Sequence, residues 1–207
     1  MKLWYSPTSP YARKVLVCAA ERGLDDSIEL VNTKMGDTQS GLRADNPLDK
    51  VPTLITGNGM ALYDSPVICE YLDSLPGGPA LFPPAGAERW MALRLQALAD
   101  GLLDAALACV MERNRPNESE RSAGFVGLQK GKISRALDEM ESAVTGFGDG
   151  LHIGVIAVGC ALGYLDLRFA DDEWRQDHPA LNAWYESFSQ RPSMIASGPA
   201  DPVLISR

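Results

Sequence analysis

The chain has 207 residues, 45% of them hydrophobic and 22% charged. That is enough to bury a core, as one large domain or two small ones at a prior of about 150 residues each. With 27 acidic against 19 basic residues the net charge is −8, which argues against a polyphosphate or an anionic membrane surface as the natural partner, since both need clustered Lys and Arg.

In chain order, Lys2 to Tyr5 reads as a strand, with no apolar signal-peptide stretch around it. Ser6 to Pro10 reads as a turn. Tyr11 to Arg22 carries Val15, Leu16 and Ala19 at helical spacing, and Gly23 is a natural stop. Ser27 to Val31 reads as a second strand, and the polar stretch from Asn32 to Lys50 holds at most a short helix. Val51 to Thr56 and Met60 to Tyr63 read as two strands joined by Gly57-Asn58-Gly59, a hairpin-type turn. A helix then runs to about Leu75, with Ser65 as its cap and Pro66 at its first position. The whole is a small α/β unit with a mixed sheet.

Pro76 to Gly86 is a Pro/Gly-rich connector and the best domain boundary in the chain. It gives an α/β domain over 1–76, a linker over 77–87 and an all-helical domain over 88–207. In the latter, Glu88 to Glu112, Glu120 to Thr145 and Pro179 to Gln190 read as helices, and the tail from Arg191 as irregular. Ile153 to Asp166 is apolar nearly all round, as expected of a central buried helix. No apolar run approaches the roughly 20 residues of a membrane span. The cysteines (Cys18, Cys69, Cys109, Cys160) are far apart and the only histidines are His152 and His178. No zinc constellation follows, and buried thiols in a reducing cytoplasm are expected.

Three segments place chemistry-bearing groups where strands meet helices. Tyr5-Ser6-Pro7-Thr8-Ser9-Pro10-Tyr11 puts hydroxyls at a helix N-terminus, whose unpaired N–H groups favour an anion; taken alone, Ser9 reads simply as a cap. Asn46-Pro47-Leu48-Asp49-Lys50-Val51-Pro52 leads into a strand. A proline there can be cis, turning the preceding carbonyl and amide outward to take an extended peptide as an added strand. An ordinary trans proline on an edge strand is the commoner case. Tyr63-Asp64-Ser65-Pro66 again sets a carboxylate and a hydroxyl at a helix start, where capping is the simpler role.

Together, in this order and spacing, the three closely resemble the thioredoxin-like domain of the cytosolic glutathione transferases. In that family a Ser-Pro or Cys-Pro turn follows strand one, Asn-Pro-x-x-Lys-Val-Pro precedes strand three, and an acidic residue with Ser opens helix three. Gly159-Cys160-Ala161-Leu162-Gly163-Tyr164-Leu165-Asp166 looks like the family's buried helix, and Pro179 to Trp184 with Arg191-Pro192-Ser193 looks like its C-terminal end. The resemblance covers essentially the whole chain and is to a bacterial, serine-type member. It implies a thioredoxin-like α/β domain followed by an all-α helical bundle, with glutathione as cosubstrate.

By that resemblance, Val51 would pair its main chain with the cysteinyl residue beside Pro52. Asp64 and Ser65 would hold the γ-glutamyl end, and Lys50 would lie near the glycyl carboxylate. Members with Ser in the turn stabilise a thiolate, whereas members with Cys act as thiol reductases, so Ser9 points to conjugation. A hydrogen bond to a charged group is worth about 1.5–3 kcal/mol and a helix terminus about 0.3–1. Together these lower a thiol pKa by roughly one to three units from ~8.5. Thr8 and then Tyr5 follow Ser9 as candidates for this hydroxyl, and Ser6 is weaker.

The implied function is a detoxifying, homodimeric, cytoplasmic transferase that adds glutathione to a hydrophobic electrophilic small molecule. No metal, nucleic acid or membrane is involved. A glutathione-dependent isomerase, dehalogenase or peroxidase, or a non-catalytic binding or stress-response protein, are the alternatives. Tyr11, Leu107 and Met111 are the expected electrophile-lining residues, with plain bundle core as the other reading of Leu107 and Met111. Trp90 and Arg94 could serve either the pocket or a dimer interface. The family's buried helix opens with a reciprocal Ser/Thr-x-x-Asp cap; the matching His152-Ile153-Gly154-Val155 has neither partner. Installing both is therefore expected to raise the melting temperature.

Overall fold

The computed structural model describes residues 1–33, 37, 40–148 and 150–199. The described part of the chain forms two compact units, one of Met1–Arg89 joined by the residues from Arg191 onward, the other of Trp90–Gln190. The sequence reading placed everything from residue 88 in the helical domain.

In the first unit, β1 (Lys2–Tyr5), α1 (Pro10–Glu21) and β2 (Glu29–Asn32) make a crossover, with β1 and β2 parallel. Two parallel strands need such a helical return. The expected start of β2 at Ser27 is instead a short 3₁₀ turn over Asp25–Ser27. A four-residue helix, α2 (Leu42–Asp45), lies in the polar stretch, of which residues 34–36 and 38–39 fall outside the described residues. The hairpin of β3 (Thr53–Ile55) and β4 (Ala61–Leu62) completes a mixed sheet of order β2-β1-β3-β4.

The next helix, α3 (Ser65–Ser74), starts one residue earlier than expected, so Asp64 and not Ser65 is its N-cap residue. It packs on α1. The connector is held against the end of α1. Arg22 donates to the carbonyls of Leu75 and Gly78 and lies 3.6 Å from Asp73. A Cβ at Gly77 would stand 2.6 Å from the Arg22 carbonyl oxygen, so only glycine allows this approach.

The long helix α4 (Gly86–Arg113) leads into the second unit, followed by α5 (Ala123–Ala143), α6 (Ile153–Arg168), α7 (Trp174–Asp177) and α8 (Pro179–Phe188). No strand occurs beyond β4 among the described residues. Every residue of α6 from Ile153 to Leu165 is buried, as its all-round apolar pattern implies. Gly154 lets α6 approach α4 closely, since a Cβ there would lie 2.7 Å from the Ala92 carbonyl oxygen.

The start of α6 is capped after all. His152 Nδ1 accepts from the Gly154 amide at 3.1 Å. Val155, the position proposed for a capping carboxylate, is buried. The reciprocal cap would therefore replace a working cap with a buried charge and lower the melting temperature, contrary to the expectation from sequence. The α8 start is capped from a distance by the Glu141 carboxylate, which accepts from Ala180 and Leu181 at 3.0 and 2.7 Å. The stretch from Arg191, read as irregular, instead contains α9 (Pro192–Ala196), which packs on α1.

Candidate functional site

Strand register brings the three sequence segments to one end of the sheet. Trp4 pairs with Thr53 in the antiparallel β1–β3 ladder, so the turn after Tyr5 and the residues before Thr53 leave the sheet on the same side. Leu54 pairs with Leu62 in the antiparallel β3–β4 ladder. Tyr63, Asp64 and Ser65 therefore emerge beside Thr53 and Pro52. Two helix N-termini, those of α1 and α3, open at that end.

At the first of them, Ser9 is the N-cap residue. Its hydroxyl accepts from the Ala12 amide at 3.2 Å, and its own amide donates to the Ser6 carbonyl at 3.0 Å. Capping uses a lone pair and leaves the O–H able to donate to a further partner. The capping role and the activating role of Ser9 are thus compatible. Thr8 and Ser6 place their hydroxyl oxygens 3.5 Å apart. Tyr5 ends β1, where its carbonyl accepts from Thr33. Tyr11 stands half-buried in the first turn of α1.

The second segment is held by Asn46, which is buried. Its Nδ2 donates to the Lys50 carbonyl at 3.1 Å and to Thr53 Oγ1 at 2.9 Å, and its Oδ1 accepts from the Leu48 amide at 2.9 Å. Thr53 Oγ1 in turn donates to the Lys50 carbonyl at 2.9 Å. The Val51–Pro52 peptide bond is cis. Val51 lies ahead of the first paired residue of β3, so its main chain stands outside the ladder. The Lys50 side chain is exposed. Asn46 was part of the quoted motif, but its anchoring role was not foreseen.

The third segment departs from the simple capping role. Asp64 is exposed and makes no side-chain bond to the start of α3, so its carboxylate remains available for a cation. Ser65 is buried, and its amide, like that of Val67, lies in the first turn, where amides have no partner within the helix.

Leu107 and Met111 share one face of α4, one turn apart. Neither is core: Leu107 is half-buried and Met111 exposed. The core face of this stretch is instead Leu102, Leu103, Ala105, Ala106 and Cys109. Trp90 is 68% exposed, and Arg94 lies 3.3 Å from Glu139. Among the described residues no group of three His, Cys, Asp or Glu side chains could hold a metal ion, and no helix is long and apolar enough to cross a membrane. All four cysteines are buried, and none is in a disulfide among the described residues.

The glutathione S-transferase N-terminal domain matches residues 8–75, which span α1, the second and third segments and the first from Thr8 onward, and the C-terminal domain of the same family matches residues 111–187. The chain belongs to the glutathione S-transferase family. Among glutathione S-transferase relatives, the GST-like protein YibF of Escherichia coli (strain K12) is 35% identical over 202 residues, covering 96% of this chain and 98% of that one. A family member from Pseudomonas fluorescens Pf-5, solved with bound glutathione, is 42% identical with a TM-score of 0.93, covering 97% of this chain and 99% of that one. A glutathione S-transferase from Methylobacillus flagellatus KT, also solved with glutathione bound, is 39% identical with a TM-score of 0.91, covering 96% and 99%.

Proposed function

We propose that this protein is a serine-type glutathione transferase that binds reduced glutathione in its first unit and adds it, as thiolate, to an electrophilic small molecule. The observation that carries the reading is the convergence at one sheet end of the capped α1 start, the Val51–Pro52 edge and the α3 start with its uncommitted Asp64 carboxylate. The donor set fits the ligand. Glutathione brings an α-ammonium for Asp64 and an α-carboxylate for the Ser65 amide and hydroxyl. Its cysteinyl amide would pair with Val51, and its glycyl carboxylate would meet Lys50. The relatives solved with glutathione favour the same ligand.

In the reaction, the Ser9 O–H donates to the glutathione sulfur, and the α1 N-terminus adds its partial positive charge. The thiol proton passes to solvent. The sulfur then forms a C–S bond to the electrophilic carbon, and a leaving group departs or the adduct takes a proton. Thr8 is the next hydroxyl in line, then Tyr5. Tyr11, Leu107 and Met111 are proposed to meet the electrophile. The enzyme would act as a cytoplasmic homodimer in detoxification.

Titration calorimetry with reduced glutathione is the first test, and heat of binding is expected at millimolar ligand or below. A panel of electrophiles read by thiol consumption then separates conjugation from isomerase chemistry, which leaves the thiol count unchanged. Ser9→Ala is expected to lower kcat/KM by about ten- to a hundredfold, the loss of one hydrogen bond to a charged group, with glutathione affinity nearly kept. Unchanged turnover in that variant would move the role to Thr8 or Tyr5.

A further inference from the structure

Two charges on α1 stand at the wrong ends of their helix. Arg13 closes the first turn, where the helix field disfavours a cation, and Glu21 is the last residue, where it disfavours an anion. Neither placement helps the helix itself. Both side chains are instead committed to the short C-terminal segment around α9. Arg191 grips the Glu21 carboxylate with two parallel bonds of 2.9 Å, and Ser193 Oγ donates to the same group at 2.5 Å. At the other end of α1, Arg13 donates to the Met194 carbonyl at 3.0 Å, with its Nε 3.5 Å from Ser197 Oγ. Met194 and Ser193 are buried.

The two anchor points are eight residues apart, about 12 Å along the helix axis. A helix tied at one point can rock about it, whereas one tied at both ends has its tilt and its axial position set. Arg13 also follows Ser9 by a single turn, and its amide donates to the Ser9 carbonyl at 3.0 Å. Any shift of the Arg13 anchor is passed to the cap residue through that bond. Burial pushes the Glu21 carboxyl up, but the hydrogen bonds from Arg191 and Ser193 outweigh it and hold the group below the ordinary carboxylate range. The grip therefore persists at neutral pH.

We propose that residues 191–197 are a positioning strap for α1, and that Arg191, Ser193 and Arg13 set where the Ser9 hydroxyl stands. The strap rests on the transferase reading only for its effect on catalysis; its hold on α1 is independent of it. None of the three is a catalytic residue, because each acts through α1.

The test compares the wild type with Arg191→Ala, Arg191→Lys and Arg13→Gln. With glutathione bound, thiolate absorbance and kcat are followed against pH. In Arg191→Ala the thiolate is expected to form at higher pH and kcat to fall about tenfold, since misplacing a reacting group by 1 Å costs up to about a hundredfold. KM for glutathione should change little. Arg13→Gln should act in the same direction, and Arg191→Lys should recover part of the loss. A lower melting temperature with an unchanged pH profile would mean a purely structural contact and overturn the proposal. In parallel, amide exchange over Tyr11 to Lys14 is read without glutathione. It should quicken in Arg191→Ala, and wild-type exchange there overturns the strap. If the wild type forms no thiolate, the transferase reading falls, while the exchange measurement still decides the strap.

Discussion

Asn46 shows how one buried amide can serve a binding edge without touching the ligand. Its three bonds tie Leu48, Lys50 and Thr53 together and so fix the course of the chain into Val51 and Pro52. In Asn46→Ala the Lys50 carbonyl keeps only Thr53, and the Leu48 amide loses its acceptor. Each lost hydrogen bond costs about 0.5–1.5 kcal/mol. We expect denaturant unfolding to report a loss of that size and calorimetry to report weaker glutathione binding. Binding unchanged alongside lower stability would separate the fold from the edge. The Asn-Pro spelling was plain in the sequence, but its partner Thr53 becomes a neighbour only once the strand pairs. The start of α3 differs by one residue from the sequence expectation for a different reason. A proline is tolerated throughout the first turn of a helix, so Pro66 fits a start at either Ser65 or Pro66 itself.

At the scale of elements, the capped start of α6 makes a prediction about acid. Burial lowers the His152 pKa, with a hydrogen bond to the Phe147 backbone acting the other way. The ring must stay neutral at Nδ1 to accept from Gly154. Because the folded pKa lies below the unfolded one, the unfolded chain binds more protons as pH falls below about 6.5, and stability drops through that window. His152→Asn supplies a cap that does not titrate. Thermal melts should therefore show a flatter pH dependence for His152→Asn between about pH 7 and 5 than for the wild type; parallel curves would place the acid sensitivity elsewhere. The long elements were legible because burial leaves a pattern. The apolar run from Ile153 forms α6, and Ser9-Pro10 opens α1. Helices of four or five residues, α7 and α9, complete scarcely one turn and cannot display a 3.6-residue period. They are fixed by distant partners, Trp174 by Asp166 at 3.2 Å and α9 by Arg13 and Glu21.

For the whole molecule, exposed apolar surface bears on the proposed homodimer. Trp90 and Met91 sit side by side near the start of α4, 68% and 60% exposed. A large exposed apolar patch usually marks an interaction site. Sedimentation is expected to give a dimer for the wild type and a shift toward monomer for Trp90→Glu; a monomeric wild type would remove the dimer from the proposal. The net charge of −8 also acts at this scale. An anionic ligand must be held against the overall field by local groups, so added salt, which screens that field, should weaken glutathione binding less than it weakens a bare salt bridge.

The membership of α9 in the first unit has a bearing on how the chain is made. A ribosome delivers residues in order, and Glu21 leaves it 170 positions before Arg191, its partner. Throughout that interval α1 carries Arg13 and Glu21 without their counterparts. The first unit thus cannot be completed as an autonomous early product of translation. It waits until the helical unit has been synthesised, and a segment made after that unit finishes the one made before it.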